Sequence, residues 1–338
     1  MSLVSIIVPC YNEQSTIQLL LKAVYNQSYP KEEMEVVIAD GGSSDNTLQE
    51  IALFAQGHKE LHVIVVQNNG KGIPSALNKA VKASSGALIV RMDAHSVPDP
   101  EYISHSVEDL TSGKGDNVGG VWEIKPGSDH WISRAIAVAA AHPLGVGDAR
   151  YRYTTQAGIV DTVPFGAYRR EMYDQIGGYD EKLLANEDYE FNVRIRQAGG
   201  KIWLNPQIHT VYFARPTLKS LAKQYWRYGY WKWQMLRRYP HTIRWRQALP
   251  PLFVGSLFST LILSPWVQPA LWILVAELVI YEILIGLSAL WVAIQKKDIL
   301  MWPGIQVAIT CMHISWGSGF LWSMISTYLK AIKKNELL

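Results

Sequence analysis

Four times in the first 95 residues, a short aliphatic and β-branched run stops abruptly at a polar cluster. Leu3–Pro9 gives way to CYNE at 10–13, Val36–Ala39 to DGGSSD at 40–45, Val63–Val66 to NNGKG at 68–72, and Ala87–Val90 to RMDAH at 91–95. Apolar runs this short, with no polar alternation, suit strands covered on both faces, as parallel strands are. Segments of helical period lie between them. Ser15-Thr-Ile-Gln18 reads as a capping box ahead of Ile17, Leu20, Leu21 and Val24, and Ser75–Ala83 reads as a further helix. This alternation predicts an α/β domain built on a mostly parallel sheet with helices on both faces. Ligands of such sheets bind beyond the carboxyl ends of the strands, so the four polar clusters are predicted to face one crevice.

Charge divides the rest of the chain. Residues 1–214 carry 18 Lys and Arg against 25 Asp and Glu, while 215–247 carry nine basic residues and no acid. Interleaved in that collar are Tyr225, Trp226, Tyr228, Tyr230, Trp231, Trp233, Tyr239 and Trp245. Basic residues mixed with Trp and Tyr fit an element lying on an anionic membrane surface. Nucleic acid is the rival reading of that mixture. The apolar tail that follows at once favours membrane lipids and no nucleic acid.

The tail has three apolar stretches, about 248–268, 270–294 and 299–329. The second is long enough to cross roughly 30 Å of hydrocarbon. The first is interrupted by Pro250, Pro251 and Pro265. The third contains Pro303–Gly304 and Gly317-Ser-Gly319, and reads as either one tilted helix or a re-entrant pair. Lys296–Lys297 and the group Lys330, Lys333 and Lys334 both resemble cytoplasmic flanks, which an odd number of spans does not allow. Glu277, Glu282 and His313 are expected to face protein rather than lipid. The N-terminus reads as a strand and not as a signal peptide, so the body is expected at the cytoplasmic side of a multi-pass membrane protein. The expected organisation is a catalytic domain at 1–214, interfacial helices at 215–247 and a transmembrane region at 248–338. Cys10 and Cys311 are the only cysteines, which excludes a disulfide framework and a cysteine-built zinc site.

Three groups of residues have chemistry to offer. Asp93-Ala-His95 closes a strand and presents a carboxylate and an imidazole two residues apart, a pair that suits Mn²⁺ or Mg²⁺. The same residues also fit an ordinary turn before Ser-Val-Pro-Asp-Pro. Asn186-Glu187-Asp188 opens a helix running through Phe191, Val193 and Ile195 to Gly199-Gly200. Acids there complement the helix dipole, which would also keep Asp188 ionised at neutral pH and able to accept a proton. Gln224-x-x-Arg227-Tyr228 lies in the collar, where interfacial anchoring explains it equally well. Asn69-Gly-Lys-Gly72 lacks the spacing of a P-loop, and no GxGxxG follows the first strand.

In order along the chain, VSIIVPCYNE at 4–13, IADGGSSDNT at 38–47, NNGKGIPSALNKA at 68–80, MDAH at 92–95, GGYDEKLLANEDYEFNVRIRQAG at 177–199 and QYWRYGYWKW at 224–233 resemble glycosyltransferase family 2, with its GT-A nucleotide-diphospho-sugar transferase fold. The stretch from Ala214 to Trp233, followed by apolar spans, is similar to the succinoglycan-biosynthesis glucosyltransferase-like branch. The resemblance implies an inverting transferase that takes a nucleotide-sugar donor, most often UDP-linked, and a lipid-linked or polysaccharide acceptor. It implies that Pro9, Tyr11, Glu13 and Asp40 hold the nucleoside and that Lys71 lies near the diphosphate. It gives the metal to Asp93 and His95 and catalysis to Asp188 within the Glu187–Asp188 pair. Gln224, Arg227 and Tyr228 are expected at the leaving diphosphate. The sequence departs from the common pattern twice, with His95 in place of the last Asp of Asp-x-Asp and Tyr228 in place of the Trp of QxxRW. His209 is a candidate third metal ligand, against the alternative of a surface histidine. The loop 163–170 is expected to form an acceptor wall. Competing functions are direct transfer to polyprenyl phosphate and a catalytically dead membrane scaffold of the same fold.

Overall fold

The computed structural model describes residues 3–70 and 72–335, with the side chains of the last helix described as far as Ile332. The chain forms two compact units, one of residues 1–123 with 149–212 and the other of 124–148 with 213–338. Segment 124–148 thus belongs to the second unit, where the sequence had placed it in the catalytic domain.

The first unit contains β1 (Val4–Cys10), α1 (Ile17–Tyr25), β2 (Met34–Asp40), α2 (Thr47–Gly57), β3 (His62–Gln67), α3 (Gly72–Ala83), β4 (Leu88–Arg91), β5 (Val97–Pro98) and α4 (Tyr102–Thr111). The chain continues through β6 (Asn117–Lys125), α5 (Trp131–Ala140), α6 (Pro143–Val146), β7 (Gly158–Ile159), β8 (Ala167–Arg169), α7 (Arg170–Ile176), α8 (Glu187–Gln197) and β9 (Ile202–Phe213). The sheet order is β3-β2-β1-β4-β8-β6-β9-β5, with β7 on β9. Strands β3, β2, β1 and β4 are parallel, whereas β8 runs antiparallel to both β4 and β6, and β5 and β7 antiparallel to β9. The sheet is therefore parallel in one half only. Beyond β4 the chain lacks the regular strand-then-helix alternation that produces parallel crossovers.

Both faces of the sheet are covered. Ile6, Val8, Val36, Ile38 and Val90 join Leu20, Leu21, Ile51 and Ile103 on one side. Ile7, Val37 and Ile89 join Leu77, Tyr168 and Phe191 on the other. Burial of each aliphatic side chain contributes about 1.5–3 kcal/mol before the entropy of ordering is counted. The capping box expected at Ser15 and Gln18 does not form. Gln18 instead donates to the carbonyl of Glu50 at 2.8 Å, tying α1 to α2.

The second unit contains α5, α6, α9 (Leu218–Leu236), α10 (Trp245–Leu263), α11 (Gln268–Gln295) and α12 (Met301–Asn335). The alanine-rich α5 buries Ala135, Ile136 and Ala139 among Ile305, Ala308, Ile309 and Met312, which explains why this segment leaves the sheet domain. The three apolar stretches of the tail become α10, α11 and α12. Pro250 and Pro251 lie inside α10. Gly317-Ser-Gly319 does not break α12; its glycines serve close helix approach. A Cβ at Gly317 would stand 2.5 Å from the Pro250 carbonyl, one at Gly319 would collide with the Trp226 carbonyl, and one at Gly229 with that of Trp316. Among the described residues, α11 is the helix long and apolar enough to cross a membrane, with 28 residues, about 42 Å of length and a mean hydropathy of 2.2. Of its two acids, Glu277 is half-buried while Glu282 is exposed and so does not face protein as expected. Glu277 accepts from Ser256, Glu282 from Gln306, and Tyr281 meets His313 at 2.9 Å.

Candidate active site

The site of the first unit begins where parallel strands end. Two loops, after β1 and β2, are laced to each other: Asn12 N–H donates to Ser43 Oγ (2.8 Å), Ser44 N–H to Asn12 Oδ1 (2.8 Å) and Glu13 N–H to Thr47 Oγ1 (2.8 Å). Asn12 takes a left-handed φ of 54° to make this turn. Asp40, the last residue of β2, is buried and accepts from Gly42 N–H and Ser43 N–H, each at 3.0 Å, and from the Ser43 hydroxyl at 2.6 Å. Pro9 lies opposite Ala39 in the β1–β2 ladder, and Tyr11 stands exposed beside Gly41. Lys71 lies outside the described residues.

Glu13 points at the loop after β4. Its Oε1 is 3.0 Å from Nδ1 of His95, and its Oε2 accepts from the Thr16 hydroxyl. Burial pushes the Glu13 carboxyl up, but hydrogen bonds from His95 and Thr16 outweigh it and hold the group below its usual range. Asp93 and His95 thus lie near Glu13, in a turn closed by Ser96 N–H donating to the Asp93 carbonyl at 3.0 Å. His209 is elsewhere. The pairing of β5 with β9 sets its Nε2 3.2 Å from Asp99 Oδ2, so it joins Asp99 and not the Asp93–His95 pair. Among the described residues no three His, Cys, Asp or Glu side chains converge to hold a metal ion.

The centre of the site is Arg91, the last residue of β4, 2% exposed. Its Nη2 is 3.1 Å from Asp93 Oδ1 and 3.0 Å from Glu187 Oε1, and its Nη1 pairs with Asp188 Oδ1. The motif pattern picks out the three acids but not the cation that gathers them. The signal available in the sequence is a lone charge closing the apolar run LIV at 88–90. Three acid side chains therefore meet one guanidinium at the end of β4.

Asp188 departs from the expectation that it would stay readily ionised. Burial is the largest influence on it, Arg91 pulls the other way, Glu187 and Asp93 push with the burial, and the carboxyl ends up at about 7. Desolvation outweighs the dipole of α8. The backbone N–H of Phe165 also reaches this carboxylate. Residues 163–168 are themselves buried, so this loop supports Asp188 from inside the fold rather than forming an open acceptor wall. Asn192 of α8 fixes it by donating to Thr162 Oγ1 at 2.9 Å and accepting from Asn117 at 2.6 Å. In the second unit, Gln224 donates to the Tyr228 hydroxyl at 3.0 Å along α9, and Arg227 is exposed.

Residues 5–177 match the family model described as glycosyl transferase family 2. The chain is similar to the succinoglycan biosynthesis protein ExoA of Rhizobium meliloti (strain 1021), 29% identical over 322 residues and 93% of each chain. It is equally similar, 29% over 268 residues, to the dolichyl N-acetyl-alpha-D-glucosaminyl phosphate 3-beta-D-2,3-diacetamido-2,3-dideoxy-beta-D-glucuronosyltransferase of Methanococcus voltae, covering 78% of this chain and 82% of that one. The fold is shared with the mannosyltransferase PcManGT from Pyrobaculum calidifontis, solved with GDP-Man and Mn²⁺, at a TM-score of 0.62 and 20% identity, over 93% of this chain and 87% of that one. With the family match spanning the strands and loops that carry Asp40, Arg91 and Asp93, this chain belongs to glycosyl transferase family 2 and is a glycosyltransferase of GT-A fold.

Proposed function

We propose that the chain is a membrane-attached, inverting transferase that moves a sugar from a UDP-linked donor to a hydroxyl of a lipid-linked or polysaccharide acceptor at the cytoplasmic face. The observation that carries this reading is the cluster of Asp93, Glu187 and Asp188 around Arg91 at the end of β4. Asp188 serves as the base. It takes the proton of the acceptor hydroxyl as that oxygen attacks the anomeric carbon, the bond from that carbon to the diphosphate oxygen breaks, and the nucleoside diphosphate leaves with the bonding pair. A carboxyl at about 7 is matched to this task near neutral pH. Glu187 shares Arg91 with it and keeps the base fixed.

Asp93 and His95 are the residues that would hold Mn²⁺ or Mg²⁺, and such an ion, when bound, supplies positive charge to the departing diphosphate. Pro9, Tyr11 and Asp40 are assigned to the nucleoside, and Lys71, Gln224, Arg227 and Tyr228 to the diphosphate, on the strength of the motif resemblance. The dolichyl-linked acceptor in the name of the Methanococcus relative and the polysaccharide in that of the Rhizobium one support the acceptor class. The Mn²⁺ of the mannosyltransferase complex supports the metal. Membrane attachment is supported by α11 and by the acid-free basic stretch before it.

The test is a thermal-shift screen of the purified full chain against UDP, GDP, CDP and TDP, each with and without Mn²⁺. Binding to the native state raises Tm by mass action, so no acceptor need be known. A Mn²⁺-dependent rise with UDP alone is expected. Folded protein that no nucleotide shifts would overturn the reading and leave a non-catalytic scaffold.

A further inference from the structure

We propose that Arg91 is a positioning residue for transfer, holding the metal-ligand candidate Asp93 and the base Asp188 in one fixed array; this rests on the roles just given to those two aspartates. The guanidinium is planar, with its donors in a rigid fork. Nη2 is shared between Asp93 Oδ1 at 3.1 Å and Glu187 Oε1 at 3.0 Å, while Nη1 goes to Asp188 Oδ1. Two of these acids come from the first turn of α8 and one from the loop after β4. One side chain therefore sets the spacing between parts of the site that the chain separates by more than ninety residues.

Arg91 is itself held on several sides. It pairs with Ile7 in the β1–β4 ladder, its backbone N–H donates to the Gly166 carbonyl at 3.0 Å, and its guanidinium lies 5.8 Å from the centre of the Phe165 ring. Phe165 returns to Asp188 through its backbone N–H, so Arg91, the Phe165–Gly166 turn and Asp188 close a ring of contacts. Phe165 and Asn186, which flank this ring, hold left-handed φ values of 62° and 64°, conformations that a non-glycine residue keeps only where its surroundings impose them.

The Nε of Arg91 is buried with no hydrogen-bond partner. An arginine serving stability alone has no reason to sacrifice a buried donor. Here the donor nearest the chain is given up while both ends of the fork are committed to carboxylates. A lysine would bring the charge but as a single point, and so could not fix three carboxylates at once.

The test compares Arg91→Lys, and the charge-balanced double variant Arg91→Gln/Glu187→Gln, with the native full chain. The readouts are Tm, Mn²⁺ affinity by EPR without nucleotide, and kcat and donor KM measured separately. Arg91→Lys is expected to lower kcat about 100-fold, since displacement of a reacting group by about 1 Å costs that much. Donor KM should stay within about threefold, and Mn²⁺ affinity should fall about tenfold, as on loss of a partner that orients a metal ligand. The double variant should show the same loss of kcat, because removing equal charge of each sign leaves Asp93 and Asp188 without their common tether. Near-native kcat in either folded variant overturns the proposal, and if Arg91→Lys does not fold the double variant decides. Asp188→Asn separates the two levels of inference. Full activity there removes the base assignment, whereas an inactive Asp188→Asn beside an active Arg91→Lys removes the positioning role alone.

Discussion

Replacing Asp188 with Asn, and following kcat/KM for the donor between about pH 5.5 and 9 in both proteins, tests the base assignment where the structure is most specific. In the native protein the carboxyl titrates at about 7, because burial together with Glu187 and Asp93 outweighs the pull of Arg91. Only the ionised form accepts a proton, so activity is lost as pH falls through that value. The ionised fraction is about one eleventh one unit below the midpoint and about ten elevenths one unit above it, so kcat/KM should rise about tenfold from pH 6 to pH 8 and then level off. Asparagine cannot accept the proton, and a loss of about 10²–10⁴-fold is expected, with the residual rate flat across pH 7. Release of UDP from a labelled donor, at saturating Mn²⁺, measures both profiles. Nucleotide binding by the variant, checked by thermal shift, should be unchanged. A variant keeping more than about a tenth of native activity, or a native acid limb centred near pH 4, refutes the argument that burial tunes this carboxyl for proton transfer.

Three further outcomes follow from particular contacts. Glu13→Ala removes the carboxylate beside Nδ1 of His95 and should weaken Mn²⁺ binding, read by EPR, about tenfold, while Glu13→Gln, whose amide oxygen can still accept a hydrogen bond from Nδ1–H, should restore most of it. Gly229→Val places a Cβ against the Trp316 carbonyl, and the overpacking should cost about 1–3 kcal/mol, seen as a lower Tm in detergent. Glu35 is buried, and although burial pushes it up, hydrogen bonds from Ser5, Ser85 and Gly86 hold it below its usual range. The stability it contributes is therefore present above the unfolded value and lost as pH falls through the folded one, so Glu35→Gln should flatten the decline of Tm below about pH 5.

The parallel half of the sheet was legible because β1, β2 and β4 are buried on both faces and announce themselves as unbroken aliphatic runs. The antiparallel half was not. β8 has three residues, and β5 and β7 two each, too short to carry a period. The motifs pick out Asp93 and Asp188, whereas Arg91 meets them only where the end of β4 comes against the start of α8, a juxtaposition no local pattern encodes. The protonation of Asp188 was misread for a related reason. Position at a helix start is visible in sequence, but depth of burial is not, and burial dominates. The sequence leaves His209 open between a third ligand and a surface histidine, because its partner Asp99 lies more than a hundred residues away along the chain. One tilted helix and a re-entrant pair both stay open for α12 because the sequence does not show that α9 and α10 press against its glycines.

Those glycine contacts fix more than a crossing point. Gly229 belongs to the same helix as Gln224 and Arg227, and its backbone touches that of α12 with no side chain between to act as a cushion. The two helices must rise and sink together. On the membrane attachment proposed above, mismatch that tilts α11 reaches these side chains through α12, because Trp302 Nε1–H donates to the Gly286 carbonyl at 2.9 Å.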